Sequence, residues 1–185
     1  MCYHGVKFYE TFGDFGFTMR CRMEHLRVYG AALSPTAAWQ VLQGVETLPL
    51  RMERHSRNAL AVARFLQAHR RVGWVNYPGL EDHPQHALLK RQMKGASGLL
   101  AFGVKGGLAN GVKFIEGAQF MSHLVNIGDT RTLISHPAST THRQLSDEQQ
   151  LAAGVKPDMV RISVGLEHID DILWDVDRAL AAATA

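Results

Sequence analysis

The pattern of apolar and polar positions changes character along the chain. Residues 1–17, MCYHGVKFYETFGDFGF, set aromatics between glycines with neither a helical nor a strand period, which predicts an irregular arm that needs a surface to lie on. A helical pattern runs from Thr18 to Tyr29 and stops at Gly30. Ser34 followed by Pro35 offers an N-cap with proline at the first helical position, so a second helix is expected from Pro35 to Thr47. Pro49 restarts the pattern in PLRMERHSRNALAVARFLQAH. There Met52, Ala59, Val62, Ala63 and Leu66 share one face, while Arg51, Arg54, Arg57 and Arg64 lie mostly on the other: a long amphipathic helix.

Past residue 70 short strands alternate with helices. VGWVNYPGL reads as a strand ending in a Pro-Gly turn, HALLKRQM as a short helix, and SGLLAFGV as a strand whose continuous apolar run predicts burial on both faces. LANGVKFIEGAQ is helical. Ser146 with Gln149 three residues on is a capping-box pattern, and MVRISVG is a strand. The last helix, His168 to Ala183, turns Ile169, Leu173, Val176 and Leu180 inward and carries Glu167, Asp170 and Asp171 at its positive end. The succession predicts an α/β layered domain over 49–185 preceded by a separate segment, 1–48, with no internal repeat.

Composition narrows the class. The chain has 185 residues, 46% hydrophobic and 20% charged, enough to bury a sizeable core in one domain plus an attached segment. The net charge of +3 comes from scattered Lys and Arg, so neither a nucleic-acid stripe nor a polybasic membrane patch emerges. No apolar run approaches the roughly 18 residues of a membrane span. Cys2 and Cys21 lack CxxC spacing and no signal peptide is seen, which favours a reduced, cytoplasmic chain.

Chemistry concentrates in two stretches. LVNIGDTRTLISHPASTTHRQL, residues 124–145, threads hydroxyls, His136, His142 and Asp129 through a partly apolar run, and buried groups of this kind need either internal partners or a polar ligand. His136 and His142 read chiefly as hydrogen-bonded imidazoles that shape the loop. In MVRISVG, strand alternation puts Val160, Ile162 and Val164 on one face and Met159, Arg161 and Ser163 on the other. Arg161 is thus a permanent charge amid apolar residues. Either a structural ion pair or solvent accounts for it, or it binds an anion. Other chemistries find little support: His83 and His86 are separated by Pro84 and lack a third metal ligand, GASGL is not a nucleophile elbow, and FGVKGGLANG matches neither GxGxxG nor a Walker loop.

The stretches GAALSPTAAWQVLQGVETLPLRMERHSRNALAVARFL, WVNYPGLEDHPQHALLK, GLLAFGVKGG, NIGDTRTLISHPASTTHRQL and PDMVRISVGLEHIDDILWDVDRAL together resemble the C-terminal half of the O-acetylhomoserine sulfhydrylases, pyridoxal-phosphate enzymes of cysteine and methionine metabolism. SHPASTTH with VRISVGLE is specific for the wider group, and NIGD marks the sulfhydrylase branch. The resemblance implies the small domain of the aspartate-aminotransferase-like (fold type I) enzymes, a mixed sheet flanked by helices, over 49–185. Residues 1–48 would then be the end of a large domain, an arm and linker helices.

It implies further that Arg161 clamps the α-carboxylate of an amino-acid substrate, and that Asn126 stands where related lyases place a carboxylate-binding serine. Acetate would be replaced by sulfide or a thiol to give homocysteine or methionine. The family's cofactor lysine, in a Ser-x-Thr-Lys context, has no counterpart among Lys7, Lys90, Lys94, Lys105, Lys113 and Lys156. The resemblance therefore implies an N-terminal half or complementing chain, a homo-oligomer, a large domain or neighbouring subunit that covers Phe8, Phe12, Phe15 and Phe17, and no turnover by this chain alone. The alternative is a non-catalytic oligomerising or regulatory module that keeps a carboxylate clamp.

Overall fold

Most of residues 3–17, expected to be irregular, is helical, and the helical pattern expected from Thr18 to Tyr29 is present. In the computed structural model, which describes Tyr3 to Thr184, a 3₁₀ turn at Tyr3–Gly5 precedes α1 (Phe8–Phe12), a second 3₁₀ turn, and α2 (Gly16–Arg20); a π-helical stretch, Cys21–Leu26, then leads into α3 (Arg27–Tyr29). The pieces before Gly16 are each at most five residues long, too short to display a 3.6-residue period. Gly30 ends the run at φ +62, a left-handed C-cap that a side chain would strain. Ser34 caps α4 (Pro35–Glu46) by accepting the N–H of Ala37 at 3.2 Å, with Pro35 at its first turn. These elements belong to one compact unit, Met1–Thr47; Leu48–Ala185 form a second. Cys2 lies outside the described residues, and Cys21 is a free thiol.

The second unit is built on α5 (Leu48–Ala68), whose buried stripe runs His55, Asn58, Ala59, Val62, Ala63 and Leu66. Met52, expected on this face, is instead 39% exposed. The stripe begins one turn later, with two polar residues that hydrogen-bond inside, although His55 Nε2 has no partner among the described residues. His55 Nδ1–H donates to the Val164 carbonyl at 2.6 Å, and Asn58 Nδ2 donates to the carbonyls of Gly165 and Glu167 at 3.0 Å each.

There follow β1 (Val72–Asn76), α6 (His86–Gln92), β2 (Leu99–Val104), α7 (Gly107–Gly117), β3 (Ser122–His123), β4 (Leu133–Ser135), α8 (Asp147–Ala152), β5 (Met159–Ser163) and α9 (Ile169–Ala183). The strands form one sheet in the order β1-β2-β5-β4-β3, antiparallel except for β3 with β4. Ser146 and Gln149 form the expected capping box at α8.

Helices α5, α7 and α9 cover one face of the sheet. Phe102, Val160, Ile162 and Val164 meet Phe114, Ile172, Val176 and Leu180 there, and Phe102 and Phe114 pack edge to face at 5.4 Å. On β2 only this side is fully closed: Leu100, Phe102 and Val104 are buried, whereas Leu99 and Ala101 on the other side are half-buried. Tyr77 ties α5 to the entry of β2, its hydroxyl donating to the carbonyls of Ser97 (2.9 Å) and Ser56 (3.4 Å), and burial pushes that hydroxyl up to about 12. The inward stripe of α9 is Ile172, Val176, Ala179, Leu180 and Ala183, with Ile169 and Leu173 packed at its margin.

Asp175 interrupts that stripe with a fully buried carboxylate. It accepts the backbone N–H groups of Gln119, Phe120 and Met121, each at 2.9 Å, and an N–H of Arg178 at 3.2 Å. Burial alone would raise its pKa, but the amides of Met121, Gln119 and Phe120 and the Arg178 guanidinium outweigh that and hold it below the usual carboxylate range. Asp175 thus fixes the α7–β3 turn onto α9. Asp175→Ala is expected to cost about 3 kcal/mol, because three backbone N–H donors, that of Met121 buried, lose a charged acceptor. Since the folded pKa is depressed, this contribution is present above the unfolded value near ~4 and is lost as pH falls through the folded value. Urea denaturation of both forms across the acid range checks this: the gap between them should narrow toward low pH.

Candidate active site on the loop-covered face of the sheet

The strand period decides where chemistry can occur. With Val160, Ile162 and Val164 committed to the helices, Met159, Arg161 and Ser163 must face the other way, where loops rather than helices cover the sheet. Arg161 is the middle residue of the central strand, in register with Ala101 on β2 and Ser135 on β4. It lines a cleft of about 280 Å³ together with Asn76, Pro78, Gln85, Ala101 and Met159. Among the described residues no carboxylate lies within ion-pair distance of its guanidinium. Its one hydrogen bond is a long one, from Nη2 to the main-chain carbonyl of Asn126 at 3.4 Å. A guanidinium held half-buried with most donors unused is set up to receive an anion, and its planar fork suits a carboxylate.

Arg161 and Asn126 therefore meet, though through the backbone. The Asn126 side chain turns back locally, its Oδ1 accepting the N–H of Ile127 at 2.8 Å. The turn that follows is anchored from several sides. Gly128, at φ +76, donates its N–H to Ser163 Oγ at 3.4 Å, and the Leu166 N–H donates to the Thr130 carbonyl at 2.8 Å. The backbone N–H and guanidinium of Arg131 hold the Asp129 carboxyl below its usual range. Thr132 is buried and doubly bound, because Glu167 accepts both its N–H and its hydroxyl (2.8 Å), while Thr132 Oγ1 accepts the Gly165 N–H at 2.9 Å. Glu167, expected to serve the positive end of α9, instead clamps this loop. Its carboxylate reaches across the sheet end because Asn58 holds the main-chain carbonyls of Gly165 and Glu167. The sequence signal for this clamp was slight: a Glu after Gly-Leu and a Thr among other hydroxyls.

The polar run is satisfied largely from within. His136 is buried, with Nε2 against the Pro157 carbonyl and Nδ1 against Ser139 Oγ, both at 2.8 Å. A carbonyl only accepts, so the ring proton sits on Nε2 and Ser139 donates to Nδ1. Burial pushes the imidazole below the usual histidine range, which keeps this neutral arrangement. Gly111 of α7 leaves the room it needs, since a Cβ there would collide with Nε2. His142 Nδ1 pairs with Thr141 Oγ1 at 2.8 Å. His83 and His86 go separate ways, to Asn76 Oδ1 and the Pro78 carbonyl, and among the described residues no His, Cys, Asp or Glu cluster fits a metal ion.

Known proteins with this sequence and fold give the arrangement a family. The profile of the Cys/Met metabolism PLP-dependent enzymes matches residues 13–181. The chain belongs to that family. It is 53% identical to an O-acetyl-L-homoserine sulfhydrylase of Leptospira meyeri over 96% of its length, and 51% identical to O-acetyl-L-homoserine sulfhydrylase 1 of Thermus thermophilus over 97%. It is 48% identical to the homocysteine synthase of Schizosaccharomyces pombe over 98%. In structure it resembles a Campylobacter jejuni protein described as an O-acetylhomoserine (thiol)-lyase and solved with N'-pyridoxyl-lysine-5'-monophosphate, at a TM-score of 0.81 and 42% identity over 89% of this chain and 39% of that one. The chain spans less than half the length of these relatives: 42%, 43% and 42% of the three sequences.

The family depends on pyridoxal phosphate, which when bound serves as an electron sink. The Arg161 cleft, as the described residues line it, does not by itself make a site for it. Among the described residues no lysine lines the Arg161 cleft; Lys7 pairs with Glu10, Lys105 Nζ donates to the Arg70 carbonyl, and Lys156 lies over the Trp74 ring.

The lack of a carboxylate partner gives a direct test of Arg161. Arg161→Ala should change stability by less than about 1 kcal/mol, whereas removal of one member of a buried ion pair costs about 3–5 kcal/mol. Chemical denaturation of the two proteins separates these outcomes.

Proposed function

We propose that the chain forms the substrate-carboxylate side of a PLP-dependent O-acetylhomoserine sulfhydrylase, an enzyme that replaces acetate by sulfide or a thiol to give homocysteine or methionine. The observation that carries this reading is Arg161: a central-strand guanidinium at the floor of a cleft, half-buried, with no carboxylate of its own among the described residues. In this role Arg161 binds the substrate α-carboxylate through its fork. The 126–132 loop, clamped by Glu167, forms the neighbouring wall, and the Asn126 amide is the second group assigned to the same carboxylate. Holding one end of the substrate converts reaction at the other into a positioned event. The relatives named as sulfhydrylases and homocysteine synthases support the reaction class, and the cysteine usage and metabolic chemistry suit a cytoplasmic setting.

The cofactor lysine is expected from a segment other than these residues. With pyridoxal phosphate and borohydride, the isolated chain should yield no stoichiometrically modified lysine by mass spectrometry and release no acetate from O-acetylhomoserine. Adding the N-terminal portion of a homologous sulfhydrylase should restore both. A specific, stoichiometric lysine label on this chain alone, with thiol-dependent turnover, would sink the reading.

The first unit supports an assembled state. Among its described residues only Gly16 is buried, while Tyr9, Phe15 and Phe17 are 76%, 71% and 81% exposed and Trp39, Val41, Leu42 and Val45 stand out along α4. Phe8 and Phe12 are partly covered, stacked on each other at 6.2 Å. Apolar surface of this kind is normally covered by another polypeptide. The isolated chain should therefore be a dimer or larger, and deletion of residues 1–17 should lower association more than helix content. Light scattering that shows a monomer over a wide concentration range would count against this.

A further inference from the structure

On the helix side of the sheet, where α5 passes the start of α9, lies a cleft of about 270 Å³ lined by Arg54, Arg57, Asn58, Ala61, His168 and Ile169. Arg54 and Arg57 stand one turn apart on α5 and reach the cleft together. Neither forms an ion pair among the described residues, and no carboxylate lines the cleft. Among the described residues the Arg54 Nε–H is buried without an acceptor, an arrangement that costs free energy while nothing receives it.

The opposite wall is also made of donors. α9 is 15 residues long and presents its positive end here, and its N-cap His168 accepts the Asp170 N–H on Nδ1 at 3.3 Å, which leaves Nε2 to carry the proton of the neutral ring. Asn58 ties the β5–α9 connection to α5 through its two bonds to Gly165 and Glu167, so the wall is fixed in place. The neighbouring acids leave the cleft unpaired: Glu53, beside Arg54 on α5, is exposed and forms no ion pair among the described residues. Glu167 is engaged by Thr132, Asp170 is 82% exposed and 3.6 Å from His168 Nδ1, and Asp171 is exposed.

We propose that this cleft is a binding site for a phosphoryl or sulfuryl oxyanion, held by the guanidinium groups of Arg54 and Arg57 against His168 and the amino-terminal end of α9. Two guanidiniums on successive turns, an imidazole N–H and a helix end supply donors from several directions, which suits a tetrahedral group with three or four oxygens. A planar carboxylate is already satisfied by a single fork.

Equilibrium dialysis of the full chain against radiolabelled inorganic phosphate, with ionic strength held constant by chloride, tests this. The expected result is one saturable site per chain, displaced by sulfate and much more weakly by acetate. Arg54→Gln and Arg57→Gln should each weaken it about tenfold, the loss of one charge-assisted contact. Arg161→Ala, on the other face of the sheet, should leave it unchanged. If Arg54→Gln loses helix content by circular dichroism, the exposed Arg57→Gln decides. The proposal is overturned by the absence of saturable binding, by equal displacement with acetate, by undiminished binding in the Arg57 variant, or by loss of binding in Arg161→Ala.

Discussion

A guanidinium keeps its charge at any pH a folded protein meets, so an arginine in the middle of a central strand constrains everything around it. Strand alternation leaves Arg161 one choice once Val160, Ile162 and Val164 are committed to the helix layer: it must face the side that loops cover. A slip of one residue would drive the charge into the core formed with Phe114, Ile172 and Val176, so the register with Ala101 and Ser135 is enforced by a large penalty on the alternative. The sheet consequently has one dry face and one face able to accommodate a polar ligand, and the candidate site follows from that asymmetry.

The loop over Arg161 is held by groups that lie outside the cleft. Asn58 on α5 positions the carbonyls of Gly165 and Glu167; Glu167 then grips Thr132, and the Thr132 hydroxyl returns to the Gly165 N–H. Each member satisfies another, so that the buried hydroxyl, amide and carboxylate carry no unmet hydrogen bond in this closed circuit. His136 does the same for the next turn, bridging Ser139 and the Pro157 carbonyl as a neutral ring. Hydroxyls and imidazoles thus build the wall, while Arg161 is the charge left without a carboxylate partner among the described residues.

Much of this was legible in the sequence, for identifiable reasons. Long periodic elements such as α5 and α9, the Ser34 and Ser146 caps, and the alternation of β5 rest on local rules, and they lie where those rules put them. The family could be read from SHPASTTH with VRISVGLE, which the profile and the relatives bear out. What was not legible depends on partners distant in sequence. His55 and Asn58 look like exposed polar residues of a helix and are buried because Val164, Gly165 and Glu167 offer them carbonyls more than 100 residues away. Glu167 looks like a helix-end acid until Thr132 arrives beside it. Residues 3–17 looked irregular because glycine punctuation cut their helices below the length at which a period shows.

The two units differ in what holds them. Leu48–Ala185 have a continuous core in which Val62, Leu66, Phe102, Phe114, Ile162, Val176 and Leu180 are all fully buried, together with internal locks at Tyr77 and Asp175. Met1–Thr47 have helices and caps but, among the described residues, no buried side chain. Short helices are marginal without a face to pack on, and below about 40–60 residues a chain rarely encloses a core of its own. The stability of the first unit must therefore come from surface that it covers or that covers it. The second can keep its sheet, and so the placement of Arg161, on its own interactions. The Arg161 cleft would then persist as a preformed element of the second unit.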